Sequence, residues 1–224
     1  MILNNIRKYI LIFIVSCCCG CSTINFSANY YDPPAGYRQE VLLLFEKVQS
    51  ELKLKNTYQL RILERDKTHG IPAISGTQLI LPDAFVKYVY QNYYDARSVI
   101  FTCVIAHEVS HTEFNLPVRP VEKHFQVDVA AIKILGGNEH QNAVYFYKTM
   151  YVLRNYWYAR KGIAGHTFNI GWNVLNAASY ALGGPAGFRD WFATDTKQRM
   201  KLLVKRYNIT DRGPFPRSAS PQNQ

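Results

Sequence analysis

The residues best equipped for chemistry lie together at His107-Glu108-Val109-Ser110-His111. On a helix, side chains four apart sit one turn above each other on the same face. His107 and His111 then offer two imidazoles to one cation. Glu108 stands beside them as a carboxylate able to take a proton from water. Two imidazoles and a general base at this spacing form the pattern of a hydrolytic zinc site. A catalytic zinc usually has three protein ligands and keeps its fourth position for water or substrate, so a third ligand must come from elsewhere.

The segment Glu122-Lys123-His124-Phe125-Gln126-Val127-Asp128 is the natural source. His124 and Asp128 are four apart and share a helical face. With His124 as ligand, Asp128 is placed to accept the second N–H of a ligand imidazole and so orient it. Glu122 competes as a ligand but lies on another face from Asp128. His69 and His140 take no role. His166, between Gly165 and Thr167, is a candidate fourth ligand or donor to a developing oxyanion.

These residues need a scaffold, and the sequence reads as α+β, mostly helical with a small hairpin or sheet beside the motif helix. Residues 36–55 place Val41, Leu44, Phe45, Val48 and Leu52 on one helical stripe. Residues 58–63 and 77–81 alternate as strands, the second preceded by the turn Ser75-Gly76. Pro82-Asp83-Ala84-Phe85 opens another helix. Asp95 is the expected N-cap of a helix that runs into the motif and is apolar nearly all round, as a central buried helix should be. A further helix over 121–135 stops at Gly136-Gly137. Residues 139–161 form an aromatic-rich helix, with another helix expected within 162–187. A basic amphipathic helix spans about 195–207. The tail, 208–224, is expected to be disordered.

The N-terminus reads differently. Arg7 and Lys8 precede the apolar run 9–15, which ends in a cysteine cluster at residues 17–21. A basic start and a short apolar stretch describe an export signal rather than a membrane span. A small residue followed by Cys after such a run suggests a bacterial lipobox. Cys21 is the favoured acylation site and Cys17 the alternative. Neither is followed by Asp, which by the usual sorting pattern favours the outer membrane. Residues 1–21 are then a lipoprotein signal, 22–35 a tether and 36–207 the folded domain. Of five cysteines, Cys103 alone lies in the body, so an exported domain here has no internal disulfide framework.

The formal charge is +10, or +8 once Arg7 and Lys8 leave with the signal. This gives a weak preference for anionic surfaces or acidic partners. No arginine-rich run or nucleic-acid motif accompanies it, so nucleic acid is not an expected partner.

Three stretches together resemble the HtpX-like and CAAX-prenyl-protease-like zinc peptidases, whose bacterial periplasmic members include lipoproteins. Val104–His111 is similar to their active-site helix. Ile71–Leu81 resembles the hairpin and edge strand before it. His124–Asp128 resembles their E-x-x-A-D element, with His124 where the family has its Glu ligand. Near the C-terminus the family often has Thr-His-Pro ahead of an Arg; here Ala193-Thr194-Asp195-Thr196 precedes Arg199, so the His is missing and Arg199 alone resembles the family's pattern. The resemblance covers roughly residues 36–135. It implies a compact zincin fold of minimal gluzincin type and one Zn2+ per chain, held by His107, His111 and His124 with Glu108 as catalytic base. It also implies a lipid-anchored endopeptidase facing the periplasm, acting on unfolded or misassembled envelope proteins. The strand 77–81 would pair with the extended substrate by β-augmentation. The alternative is a metal-bound, proteolytically weak chaperone or scaffold for outer-membrane protein assembly.

Overall fold

Helical spacing of Val41, Phe45 and Val48 becomes the buried face of α1, Tyr37–Glu51. A computed structural model describes residues 34–64, 71–160 and 191–218, all within the contact unit Asp32–Gln224. After α1 come β1 (Gln59–Leu63), β2 (Ala73–Ser75), β3 (Gln78–Pro82) and α2 (Asp83–Asn92). A 3-10 turn at Tyr94–Ala96 leads into α3 (Arg97–Glu113), followed by α4 (Val121–Ile134), α5 (Glu139–Arg160) and α6 (Trp191–Tyr207). The fold is α+β, mostly helical with one three-stranded sheet.

The sheet has the order β1-β3-β2. β3 runs parallel to β1 and antiparallel to β2, with Arg61 and Ala73 both opposite Ile80. Gly76 turns the chain between β2 and β3 at φ +58, a left-handed conformation that glycine adopts without steric cost. Leu79 and Leu81 point from β3 into the core with no exposed surface.

α3 is the central element, as its apolar sequence requires. Ile100, Phe101, Val104, Ile105 and Val109 join one core with Leu79, Leu81, Phe85 and Tyr90. Cys103 and Ala106 face a second core with Ala131, Ile132, Phe146, Met150 and Leu203. A helix sandwiched between two cores has little freedom to roll, so its motif face is fixed in direction. Gly136 and Gly137, both at positive φ, end the run that begins with α4, where the sequence places the stop.

Three expectations need correction. Asp95 does not cap α3; it lies in the 3-10 turn, and Ala96 occupies the cap position with no side-chain hydrogen bond. The Asp95 backbone N–H instead donates to Ser218 Oγ. The last helix begins at Trp191, ahead of residue 195. Residues 209–218 are not disordered: Ile209 and Phe215 are buried, and the Ser218 N–H reaches the Asn92 carbonyl. Among the described residues no helix is long and apolar enough to cross a membrane. The signal, Cys17, Cys21, the tether up to residue 33, the helix expected within 162–187, His166 and residues 219–224 lie outside the described residues.

Candidate metal centre

The motif face of α3 meets α4 where the chain doubles back after the loop 114–120. His107 and His111 come from α3 and His124 from the first turn of α4. The three rings form a nearly equilateral triangle, with centroids 4.9, 5.1 and 5.2 Å apart. Each His offers one ring nitrogen, and these atoms lie within 4.8 Å of one another. The three histidines are therefore close enough to hold one metal ion.

What stands behind each ring argues further. His107 Nδ1 is 2.9 Å from Asp128 Oδ1. His111 Nδ1 is 2.8 Å from the Leu116 carbonyl oxygen. His124 Nδ1 is 2.9 Å from Asp195 Oδ2, a close contact off the line of a good hydrogen bond. Since carboxylates and carbonyls only accept, the protons of His107 and His111 belong on Nδ1, and the nearby Asp195 oxygen favours the same tautomer for His124. The Nε2 lone pairs then face inward. His107 Nε2 and His124 Nε2 are 3.1 Å apart, a separation that calls for either a shared proton or a metal ion between the two nitrogens. Tetrahedral zinc with Zn–N near 2.05 Å would set such a pair about 3.3 Å apart, so the residues present fit the ion.

The acceptors are themselves fixed. Arg199, 4% exposed, donates from Nη1 to Asp128 Oδ1 at 2.7 Å and from Nε to Asp195 Oδ2 at 2.8 Å. Asp128 and Asp195 are buried, as is His124. Metal-binding histidines commonly have such outer partners, which set tautomer and ring direction.

The electrostatics favour ligand forms. Burial, and next the neighbouring His107, push the His111 imidazole down to about 4. Burial, followed by the Arg199 charge, pushes His124 down as well. Both rings are neutral at pH 7, the state that binds metal. Burial raises the Glu108 carboxyl, with His107 and Arg199 opposing. A raised carboxyl is closer to the range where a general base both accepts and returns a proton. Burial also raises Asp128, but the Arg199 charge and the His107 hydrogen bond outweigh it and hold the carboxylate below its usual range.

A cleft of about 520 Å³ opens onto these groups. Val104, Phe146 and Met150 form part of its apolar wall, and Ala73 and Ile74 of β2 line it from the sheet side. Here the structure overturns one expectation. The strand 77–81 lies in the centre of the sheet, hydrogen-bonded on both sides, so it has no edge to offer a peptide. Among the described residues β2 is the edge strand beside the cleft.

His107, Glu108, His111, His124 and Asp128 all gather here, as their sequence pattern requires. Glu122 takes no part in the histidine cluster. Sequence reasoning missed Asp195 and the Leu116 carbonyl, and Arg199 stood out only through its likeness to a family arginine. The i, i+4 pair Asp195 and Arg199 on a helix was the available signal, since such a pair is a ready salt bridge. No family model, curated protein or solved structure matches this chain.

Proposed function

We propose that this chain is a zinc-dependent endopeptidase of the HtpX-like and CAAX-prenyl-protease-like kind, tethered by an N-terminal lipid to the bacterial outer membrane and facing the periplasm. Its substrates are unfolded or misassembled envelope proteins. The observation that carries this reading is the convergence of three inward-facing imidazoles with the buried Glu108 in one cleft.

His107, His111 and His124 would hold the ion. Zinc supplies a Lewis acid that polarises a carbonyl and brings the pKa of water toward about 7. Glu108 takes the proton of the attacking water and later delivers it to the leaving amine, with His107 and Arg199 opposing the effect of its burial. The outer edge of β2, Ala73–Ser75, is unpaired among the described residues and would offer backbone groups to an extended peptide, so that main-chain pairing aligns a scissile bond beside the centre.

Glu108→Gln tests the reading, because it keeps the size and shape of the side chain and removes its basicity. The variant should retain zinc and lose cleavage of casein or an unfolded envelope protein by at least 100-fold. Equal cleavage by both forms contradicts the mechanism.

A further inference from the structure

His124 creates a requirement that a carboxylate ligand would not have. A Glu needs nothing specific behind it to point a lone pair at a metal, whereas an imidazole binds through Nε2 only when Nδ1 carries the proton. We propose that Asp195 and Arg199 are positioning residues of the metal centre, through which α6 fixes the tautomer and direction of His124 and steadies His107. This inference rests on the metal-binding part of the reading above and not on proteolysis.

The contacts form one continuous chain across three helices. His107 of α3 meets Asp128 of α4, Asp128 meets Arg199 of α6, Arg199 meets Asp195, and Asp195 meets His124 of α4. Both carboxylates are nearly inaccessible, at 0% and 4% exposure. Two buried carboxylates close together repel unless a cation lies between them. Arg199 supplies it with two nitrogens of one planar group, Nε to Asp195 and Nη1 to Asp128. Lysine, a compact point charge, cannot reproduce that fork. The oxygens that receive the guanidinium are also those that face the imidazoles: Asp128 Oδ1 for His107 and Asp195 Oδ2 for His124. Holding Arg199 therefore holds both rings. Because the histidines and α6 share these contacts, metal loading and the docking of α6 are linked, and each affects the other by the same factor.

The test uses the full chain, with zinc affinity measured by competition against a chromophoric chelator and geometry read from the visible absorption of the Co2+-loaded protein. Asp195→Asn and Arg199→Lys should each weaken zinc binding 10- to 100-fold and alter the Co2+ bands. Histidine 15N shifts of the metal-free variants should show His124 drifting from the Nδ1–H tautomer. Thr196→Val, on the same helix with its buried hydroxyl outside this chain of contacts, should leave affinity and spectrum unchanged. Wild-type affinity, bands and tautomer in both variants overturn the proposal, as does an equal loss in Thr196→Val. Should Asp195→Asn fail to fold, Arg199→Lys decides by the same readings. A wild-type chain that binds no zinc refutes the metal reading itself, a distinct outcome.

Discussion

Removing the Glu113 carboxylate should loosen the end of the motif helix in a pH-dependent way. Glu113 is the last residue of α3, two positions after His111. Its oxygens accept from the Lys55 and Asn56 backbone N–H groups, from Asn56 Nδ2 and from the Tyr58 hydroxyl, at 2.7–3.1 Å. The carboxylate thus fastens the segment between α1 and β1 to the helix that carries His107 and His111. Four such bonds would sum to about 2–6 kcal/mol at about 0.5–1.5 kcal/mol each. Three of them are solvent-exposed, so about 2 kcal/mol is the expected cost of Glu113→Ala. In urea that is a midpoint drop of about 0.8 M for a slope near 2.5 kcal/mol/M. Burial pushes the Glu113 carboxyl up, but the bonds from Lys55, Tyr58 and Asn56 outweigh it and hold the group below its usual value. A depressed carboxyl stabilises the fold above its unfolded pKa, about 4.3, and that contribution is lost as pH falls through the folded value. Glu113→Gln lacks the charge, so its stability gap to wild type should be largest near pH 7 and close below about pH 4. Tyr58 adds an alkaline edge. Burial and the Glu113 bond push its hydroxyl up to about 12, so stability present below pH 10 is lost as pH rises through that value. Urea unfolding of the metal-free protein across this range is the assay. A gap of the same size at pH 7 and pH 3, or no gap at pH 7, refutes the reasoning.

Two further outcomes follow from the core. Phe101→Ala removes a fully buried ring that packs edge-on against Phe85 with centroids 6.2 Å apart. It should cost about 4 kcal/mol and lower Tm by about 10 °C; a drop under about 4 °C in a thermal melt contradicts α3 as the central element. Cys103 is 2% exposed and burial pushes its thiol up to about 12. Peptide mapping after alkylation at pH 8 should find it unmodified in the folded chain and modified in denaturant, and rapid labelling in the folded chain would show the second core to be open.

The pairs within the histidine cluster were legible in the sequence because helical geometry alone brings residues four apart to one face, which places His107 with His111 and His124 with Asp128. The apolar stretch before His107 announced a buried helix for the same local reason. Strand order was not legible. β2 has only three residues, too few to show alternation, and nothing local reveals that β3 is central rather than exposed. Asp195 could not be assigned because its contact with His124 spans 71 residues and depends on how α6 docks on α4. The tail misled by composition: residues 209–218 are polar and proline-containing, yet Ile209 and Phe215 supply two anchors, with Phe215 stacked on Tyr145. Asp95 misled as well, since a residue suited to capping was placed one position early by the 3-10 turn.

The central claim is that three histidines hold one catalytic metal, and zinc stoichiometry tests it most directly. The full chain, exchanged into chelator-treated buffer and loaded with zinc, should retain one ion per chain by elemental analysis. His107→Ala, His111→Ala and His124→Ala should each weaken that binding by at least 100-fold. A wild-type chain that retains no zinc, or a His124→Ala chain with unchanged stoichiometry and affinity, would contradict it.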